Sequence, residues 1–326
     1  MRAWQVQDKG EPIEVLRQAV VPEPEPGPGE VRIEVAAAGI GLPDVFMCRH
    51  TYPLTPSSLP FTPGQEASGV VTAVGDGVDI PLGSRVMGVT AFTRGHGAFA
   101  EQCLLLAGST FAVPEGLTAA QAAGFWIPHL TGWIGLVDRG HVAAGEQLAV
   151  LGAAGGSGIA AVQLGRALGA RVIAVVGDDE RAAFCRGLGA DATVNHREGP
   201  LGEALRDASS GRGVDAVYDP VGGSLAEDAA TALCRGGRLL AVGFASGRWP
   251  RLETHQLLVT NTSLVGVFAG GYGRDELDAI HAQLSALIAD GRLRNAVTSE
   301  VPFDELPAAL QRMADRAVVG KLVTVP

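Results

Sequence analysis

The chain has 326 residues, 47% hydrophobic and 18% charged, with a formal net charge of -10; this is material for two domains, and its acidity opposes non-specific nucleic-acid binding. Its only lysines are Lys9 and Lys321, and no uninterrupted apolar stretch reaches the roughly 18 residues of a membrane-spanning helix. The acid-bearing N-terminal "MRAWQVQDKGEPIEV" lacks the apolar run of a secretory leader, and the four cysteines (Cys48, Cys103, Cys185, Cys234) form no CxxC pair, so the expectation is a cytoplasmic protein with reduced thiols.

The first hundred residues read as β-rich. "VRIEVAA" (Val31 to Ala37) alternates apolar and polar residues, as a half-buried strand does. The proline-dense "VPEPEPGPGE" before it cannot be helical. Glycine and proline then recur through "LPFTPGQEASGVVTAVGDGVDIPLGSRVMGV", which predicts short strands and turns in a barrel-like domain. A helical stretch, "TAAQAAGFWIPHLTGWIGLVDRG", follows. Strand and helix patterns then alternate: "QLAVLG", helix Ser157 to Leu168, "RVIAVVG", helix Asp179 to Leu188, "DATVN", helix Leu201 to Ala208, "VDAVYD", helix Ser224 to Cys234, "GRLLAVG" and "TSLVGVF". Such apolar strands predict an α/β doubly wound parallel sheet covered by helices on both faces. The tail offers the helix "DELDAIHAQLSALIADG", a strand near "AVTSEV", the short helix "FDELPAALQRMA" and a closing strand "GKLVTV" that returns to the first domain.

In "VLGAAGGSGIAAVQLGRALGARVIAVVGDD" a glycine cluster joins a strand to a helix. The spacing is a GxGxxG variant with alanine at its first position. Gly155 and Gly156 let backbone N–H groups approach a diphosphate, and Gly158 lets the helix pack against the strand. The helix N-terminus adds partial positive charge. The strand–turn–helix–strand context supports a dinucleotide fingerprint. An acid closing the second strand would grip the ribose hydroxyls of NAD. Here that place is Val176-Gly177, while Asp178 and Asp179 suit the start of the next helix. With Arg181 nearby to pair with a 2′-phosphate, NADPH is favoured over NADH.

A catalytic zinc needs Cys and His ligands. Gln65 stands in "TPGQEASG" where a His would be needed, and the pair Cys48 and His50 has no third ligand near in sequence, so no metal is expected. Ser157 is explained by the phosphate loop rather than by a nucleophile elbow. Hydride transfer to an electron-poor acceptor needs no metal, and a proton can come from solvent or from a weak donor such as Tyr52 or Thr131.

The segments "PFTPGQEASGVVTAVG", "LTGWIGLVDRG", "LGADATVNHRE", "VDAVYDPVGG", "GGRLLAVGFASG" and "GKLVTV", with the glycine loop, resemble the zinc-free quinone oxidoreductases of the medium-chain dehydrogenase/reductase superfamily, relatives of zeta-crystallin. The resemblance spans nearly the whole chain. It implies a GroES-like domain over 1–122 and 265–326, a Rossmann domain over 123–264, an active site in the cleft, and homodimers or tetramers paired through "NTSLVGVF". It implies NADPH-dependent reduction of a small quinone-like acceptor, with enone or enoyl reduction, or cofactor binding with little turnover, as alternatives. By the same resemblance Ala154, Gly155, Gly156, Ser157 and Gly158 hold the pyrophosphate. Gly177 and Arg181 lie by the adenosine phosphate, and His196 by the adenine end. Val242, Gly243, Phe244 and Ala245 lie by the nicotinamide ribose, while Val267, Phe268 and Thr131 line the nicotinamide pocket. Gly41 and Phe46 border that pocket where the family usually has Asn and Tyr, which makes it more apolar. Trp126 and Trp133 are read as core residues, with stacking on a planar acceptor as the alternative.

Overall fold

The structure, a computed structural model, describes residues 1–294 and 297–326. Ala296, in the strand expected near "AVTSEV", lies outside the described residues. The chain divides into two compact units: 1–127 with 273–289 and 295–326, and 128–272 with 290–294. The chain thus re-enters the first unit at Gly273, later than the expected residue 265.

In chain order the first unit supplies β1 (Arg2–Val6), α1 (Pro12–Val15), β2 (Leu16–Val20), β3 (Glu30–Ile40), α2 (Leu42–Cys48), β4 (Glu66–Val74), β5 (Arg85–Thr90), β6 (Gln102–Ala112) and α3 (Ala119–Ala123). Next come α4 (Trp126–Trp133), β7 (Gln147–Leu151), α5 (Gly156–Ala167), β8 (Arg171–Val176), α6 (Asp179–Gly187), β9 (Ala192–Asn195), α7 (Leu201–Ala208), β10 (Val214–Asp219), α8 (Gly223–Ala230), β11 (Leu233–Ala241), α9 (Thr254–Thr260) and β12 (Ser263–Gly266). The tail is α10 (Arg274–Ala289), β13 (Val297–Pro302), α11 (Leu306–Ala314) and β14 (Lys321–Val325).

In the first unit β3, β4, β5 and β6 pair antiparallel in succession, and β3 also pairs with β6, which closes the sheet on itself. Closure removes two edges that would otherwise invite pairing with other chains. β14 is an inner strand between β3 and β13. The alternation in β3 works as read: Val31, Ile33 and Val35 are buried, and Glu34 faces out. Their core continues through Val71, Val86, Phe99 and Leu105 to Leu306 and Leu310 of α11.

In the second unit six parallel strands run in the order β12-β11-β10-β7-β8-β9. Leu148 to Leu151 and Val172 to Val175 are all fully buried, as strands covered on both faces must be. On one face Leu201 and Leu205 of α7 and Ala226 and Ala229 of α8 pack against Leu151, Val175 and Val217. The strand order reverses between β7 and β10, the place where open sheets of this kind take ligands beyond the strand ends. Among the described residues no helix is long and apolar enough to cross a membrane.

Three expectations are corrected. The long helix over "TAAQAAGFWIPHLTGWIGLVDRG" is α3, a break at Gly124, α4, and a π-helical turn over Ile134–Arg139. A Cβ at Gly124 would lie 2.7 Å from Val297 Cγ2, so the break is also a point of close packing. The helix expected to reach Cys234 stops at Ala230, because Leu233 and Cys234 already belong to β11. Helix α2 was not anticipated in the β-rich region; Pro43 sits in its first turn, where a missing N–H costs nothing.

Candidate functional site

The second unit gathers its loops at the carboxyl ends of β7, β8, β10, β11 and β12. After β7, Gly155 caps α5 without a side-chain hydrogen bond, which leaves first-turn N–H groups as donors for an anion. The glycines of this loop differ in kind. A Cβ at Gly158 would fall 2.3 Å from the Gly152 carbonyl oxygen and 2.6 Å from Ala153 Cα, so glycine is required by the turn itself. A Cβ at Gly155 would lie 3.4 Å from the Gly152 oxygen, and Gly155 is exposed with φ -90°. Nothing inside the protein demands glycine there; a ligand lying against the backbone would. Ala154 is buried, and Gly156 opens the helix. Ser157 Oγ is 2.9 Å from the hydroxyl of Tyr218, a fully buried residue of β10. That hydrogen bond fixes the start of α5 against the neighbouring strand across the reversal point, and neither composition nor periodicity revealed it.

After β8, Gly177 is followed by Asp178, which caps α6: its Oδ1 accepts from the Arg181 N–H at 2.9 Å. This hydrogen bond and the Arg181 guanidinium hold the carboxyl below its ordinary range. Arg181, expected to be free for a phosphate, forms an ion pair with Asp178. The groups facing Gly177 are instead His196 and Arg197 from the end of β9: a Cβ at Gly177 would lie 3.3 Å from His196 Nε2 and 3.2 Å from Arg197 Nε. Burial, with Arg197 next in weight, pushes the His196 imidazole down. Arg197 went unnoticed in "NHRE"; Asn195 and Glu198, spaced to close a turn around it, were the available signal.

After β10, Asp219 is fully buried. Its Oδ1 accepts from the N–H groups of Val221 (2.9 Å) and Gly222 (2.7 Å), and burial pushes the carboxyl up to about 6. Its backbone oxygen accepts from Val242 and Gly243, while Pro220 accepts from Ala245. The loops after β10 and β11 are thereby zipped together. The Phe244 ring lies 4.8 Å from Trp249. Val267 is buried and donates to the Ala241 carbonyl, and Phe268 is 65% exposed. Val267 and Phe268 line a cavity of about 500 Å³, mostly apolar and aromatic, together with Arg139, Ala241, Trp249, Gly266 and Tyr272. Trp249 was another residue the sequence reading passed over. Thr131 is half-buried on α4.

In the first unit Gly41 caps α2, its N–H donating to Asp44 Oδ2 at 2.8 Å. Phe46 is buried, and its carbonyl accepts from the N–H groups of Thr51 and Tyr52. Asp44 Oδ1 accepts from the Gly64 N–H at 3.1 Å. Burial pushes the Asp44 carboxyl up to about 7. Tyr52 is half-buried with its ring 6.5 Å from Phe92. Burial raises its phenol, and the Gln65 amide opposes that rise. Gln65 Nε2 is buried, and its contact with Tyr52 is longer or less well aligned than an ordinary hydrogen bond. Next to it, Glu66 and Lys321 form a buried ion pair at 2.6 Å, and Glu66 Oε2 also accepts from Ile127 N at 2.9 Å. Trp126 is core, its ring 4.4 Å from Phe111 and 5.8 Å from His281.

The fit to a catalytic zinc is poor. Gln65 offers an amide where a ligand would be needed, and burial pushes the Cys48 thiol up, away from the thiolate a metal requires. Among the described residues no three His, Cys, Asp or Glu side chains gather in a metal-holding group.

Residues 27–117 match the alcohol dehydrogenase GroES-like domain family, and residues 156–286 match the zinc-binding dehydrogenase family. The chain is 31% identical over 290 residues to quinone oxidoreductase-like protein 2 of Bos taurus, covering 87% of this chain and 82% of the relative. Among solved structures it is 37% identical to a probable oxidoreductase from Mycobacterium abscessus, with a TM-score of 0.88 and coverage of 100% and 99%. It is 29% identical to the quinone oxidoreductase of Escherichia coli complexed with NADPH, with a TM-score of 0.91 and full coverage of both chains. The closed antiparallel sheet, the six-stranded parallel sheet with its glycine turn, and these similarities agree: the chain belongs to the quinone oxidoreductase family, the zeta-crystallin-like branch of the medium-chain dehydrogenase/reductase superfamily.

Proposed function

We propose that this protein is an NADPH-dependent, zinc-independent reductase of a quinone or similarly electron-poor acceptor. The observation that carries the reading is the turn after β7, where Gly155 is a glycine without an internal steric reason at the N-terminus of α5. The binding of NADPH by the Escherichia coli relative supports it. Backbone groups of Gly155, Gly156, Ser157 and Gly158 hold the diphosphate, beside Ala154. Gly177 and His196 border the adenosine. Val242, Gly243, Phe244, Ala245, Val267 and Phe268 border the nicotinamide and its ribose. When bound, the reduced nicotinamide supplies a hydride.

The protein's own part is to orient, to exclude water and to hold a proton. In the first unit, Tyr52 keeps its phenolic proton because burial disfavours the phenolate. It serves as the donor to an acceptor oxygen, with the Gln65 amide beside it acting on that hydroxyl. Thr131 orients the nicotinamide end. Gly41 and Phe46 contribute no polar side-chain atom, which favours a flat apolar acceptor.

The test follows the absorbance of reduced cofactor with a panel of benzoquinones, naphthoquinones, enones and crotonyl thioester. Turnover with quinones is expected, undiminished by a chelator. NADPH binding without turnover of any acceptor would sink the enzymatic reading, and preference for the thioester would move it to enoyl reduction. We also propose a homodimer through the edge strand β12, where Leu264 is 44% exposed and the preceding Leu258 and Val259 are 75% and 68% exposed.

A further inference from the structure

We infer that Arg197, rather than Arg181, selects a 2′-phosphorylated dinucleotide; the inference rests on the nucleotide reading above and deepens it.

Val176 pairs in register with Asn195 of β9, and His196 N donates to the Val176 carbonyl at 3.0 Å. That pairing brings the residues after Asn195 directly beside Gly177. The turn is held by its own side chains: Asn195 Nδ2 donates to Glu198 Oε1 at 2.7 Å, and Arg197 N donates to Asn195 Oδ1 at 3.1 Å. The Arg197 guanidinium is thereby laid against Gly177, with Nε 3.2 Å and Cζ 3.3 Å from the position a Cβ would take. A Cβ at residue 177 would press on the guanidinium and the imidazole, which would each have to give by a few tenths of an ångström. Glycine here makes room for a cation, in the place where an NAD-preferring sheet puts an acid for the ribose hydroxyls.

Charge separates the two arginines. Arg181 is already paired with Asp178, and Asp178 is occupied as the cap of α6. A phosphate calling on Arg181 would have to displace a carboxylate. Arg197 is exposed and makes no ion pair among the described residues, so its fork of donors is available for bidentate contact with phosphate oxygens. Arg197 and His196 both face Gly177, and Asp178 follows it in the chain. His196, held low in pKa, offers a neutral ring there rather than a second permanent charge.

The test measures binding by calorimetry, without turnover, for wild type, Arg197→Ala, Arg197→Lys and Arg181→Ala. The probes are NADPH, NADH, adenosine 2′,5′-bisphosphate and adenosine 5′-monophosphate. Arg197→Ala is expected to weaken NADPH and the bisphosphate by roughly 10- to 100-fold, and to leave NADH and the monophosphate within about twofold. Arg197→Lys restores part of the loss, since it keeps the charge but not the fork. Equal losses for both nucleotide classes, no loss for either, or a larger selective loss in Arg181→Ala would each overturn the assignment while leaving nucleotide binding in place. A wild-type protein that bound neither NADPH nor NADH would overturn the functional reading together with it.

Discussion

Lys321 is one of only two lysines in the chain, and it is spent on a buried ion pair with Glu66. Removing one partner leaves an uncompensated buried charge, whereas removing both leaves a cavity that apolar groups can fill. Lys321→Met is therefore expected to cost about 3–5 kcal/mol of unfolding free energy in urea. The double variant Glu66→Leu, Lys321→Met is expected to recover a clear part of that loss, less what the Ile127 N–H forfeits. Equal losses would show the pair to be no pair. Asp44 acts with the opposite sign to a salt-bridged acid. Its carboxyl is raised from 3.8 to about 7, so the folded state holds the proton more tightly than the unfolded chain does. The contribution of Asp44 to stability is full below the ordinary value and declines as pH rises towards about 7. Asp44→Asn removes the titration and turns an amide N–H towards one of the donors at Gly41 and Gly64. Its unfolding free energy is expected to be lower overall and to fall less steeply than wild type across that window. Urea midpoints measured through the window check this, and parallel curves would refute it.

At the scale of elements, the turn between β7 and α5 separates two uses of glycine. Gly158→Ala pushes a methyl group into the Gly152 carbonyl and is expected to cost roughly 1–3 kcal/mol, with loss of nucleotide affinity as a secondary effect. Gly155→Ala fits the fold, costs less than about 1 kcal/mol as a poorer cap, and is expected to weaken nucleotide binding severalfold. Thermal melts with and without NADPH separate the two cases: a stable Gly155→Ala protein with unchanged affinity would refute the diphosphate assignment. This turn was legible in the sequence because the apolar runs of β7 and β8 are unbroken and the glycines fall between them. Helix α2 was not, because its seven residues carry too little periodicity to stand out among prolines and glycines. The break at Gly124 was equally hidden, and the residue packed closely against it, Val297, lies far along the chain. The placement of Arg197 depends on the register between β8 and β9, and Ser157 meets Tyr218 only because β10 lies next to β7. Local pattern marks elements; it does not say which strand ends meet.

For the whole molecule, two arrangements follow from β12 being a sheet edge. The edge either stays bare or meets a second copy. Leu264→Arg places a charge on that strand and is expected to convert a dimer to a monomer in light scattering, with the melting temperature lowered by mass action. A wild-type monomer at micromolar concentration would remove the dimer proposal. The family and both kinds of sheet were readable from ordered motifs along almost the entire chain. The point of return to the first unit, at Gly273, was not, because β12 and the residues after it belong to the second unit by contacts rather than by pattern.

The inner position of β14 constrains how the protein can be made. Lys321 and Glu66, joined at the heart of the first unit, are 255 residues apart in sequence. During synthesis the parallel sheet has every strand in hand once β12 emerges, whereas in the barrel-bearing unit β3 keeps its Ala38–Ile40 end without a partner on the side opposite β4 until the last strand arrives. A ribosome stalled after α10 would therefore hold one finished half and one half still open to misassociation.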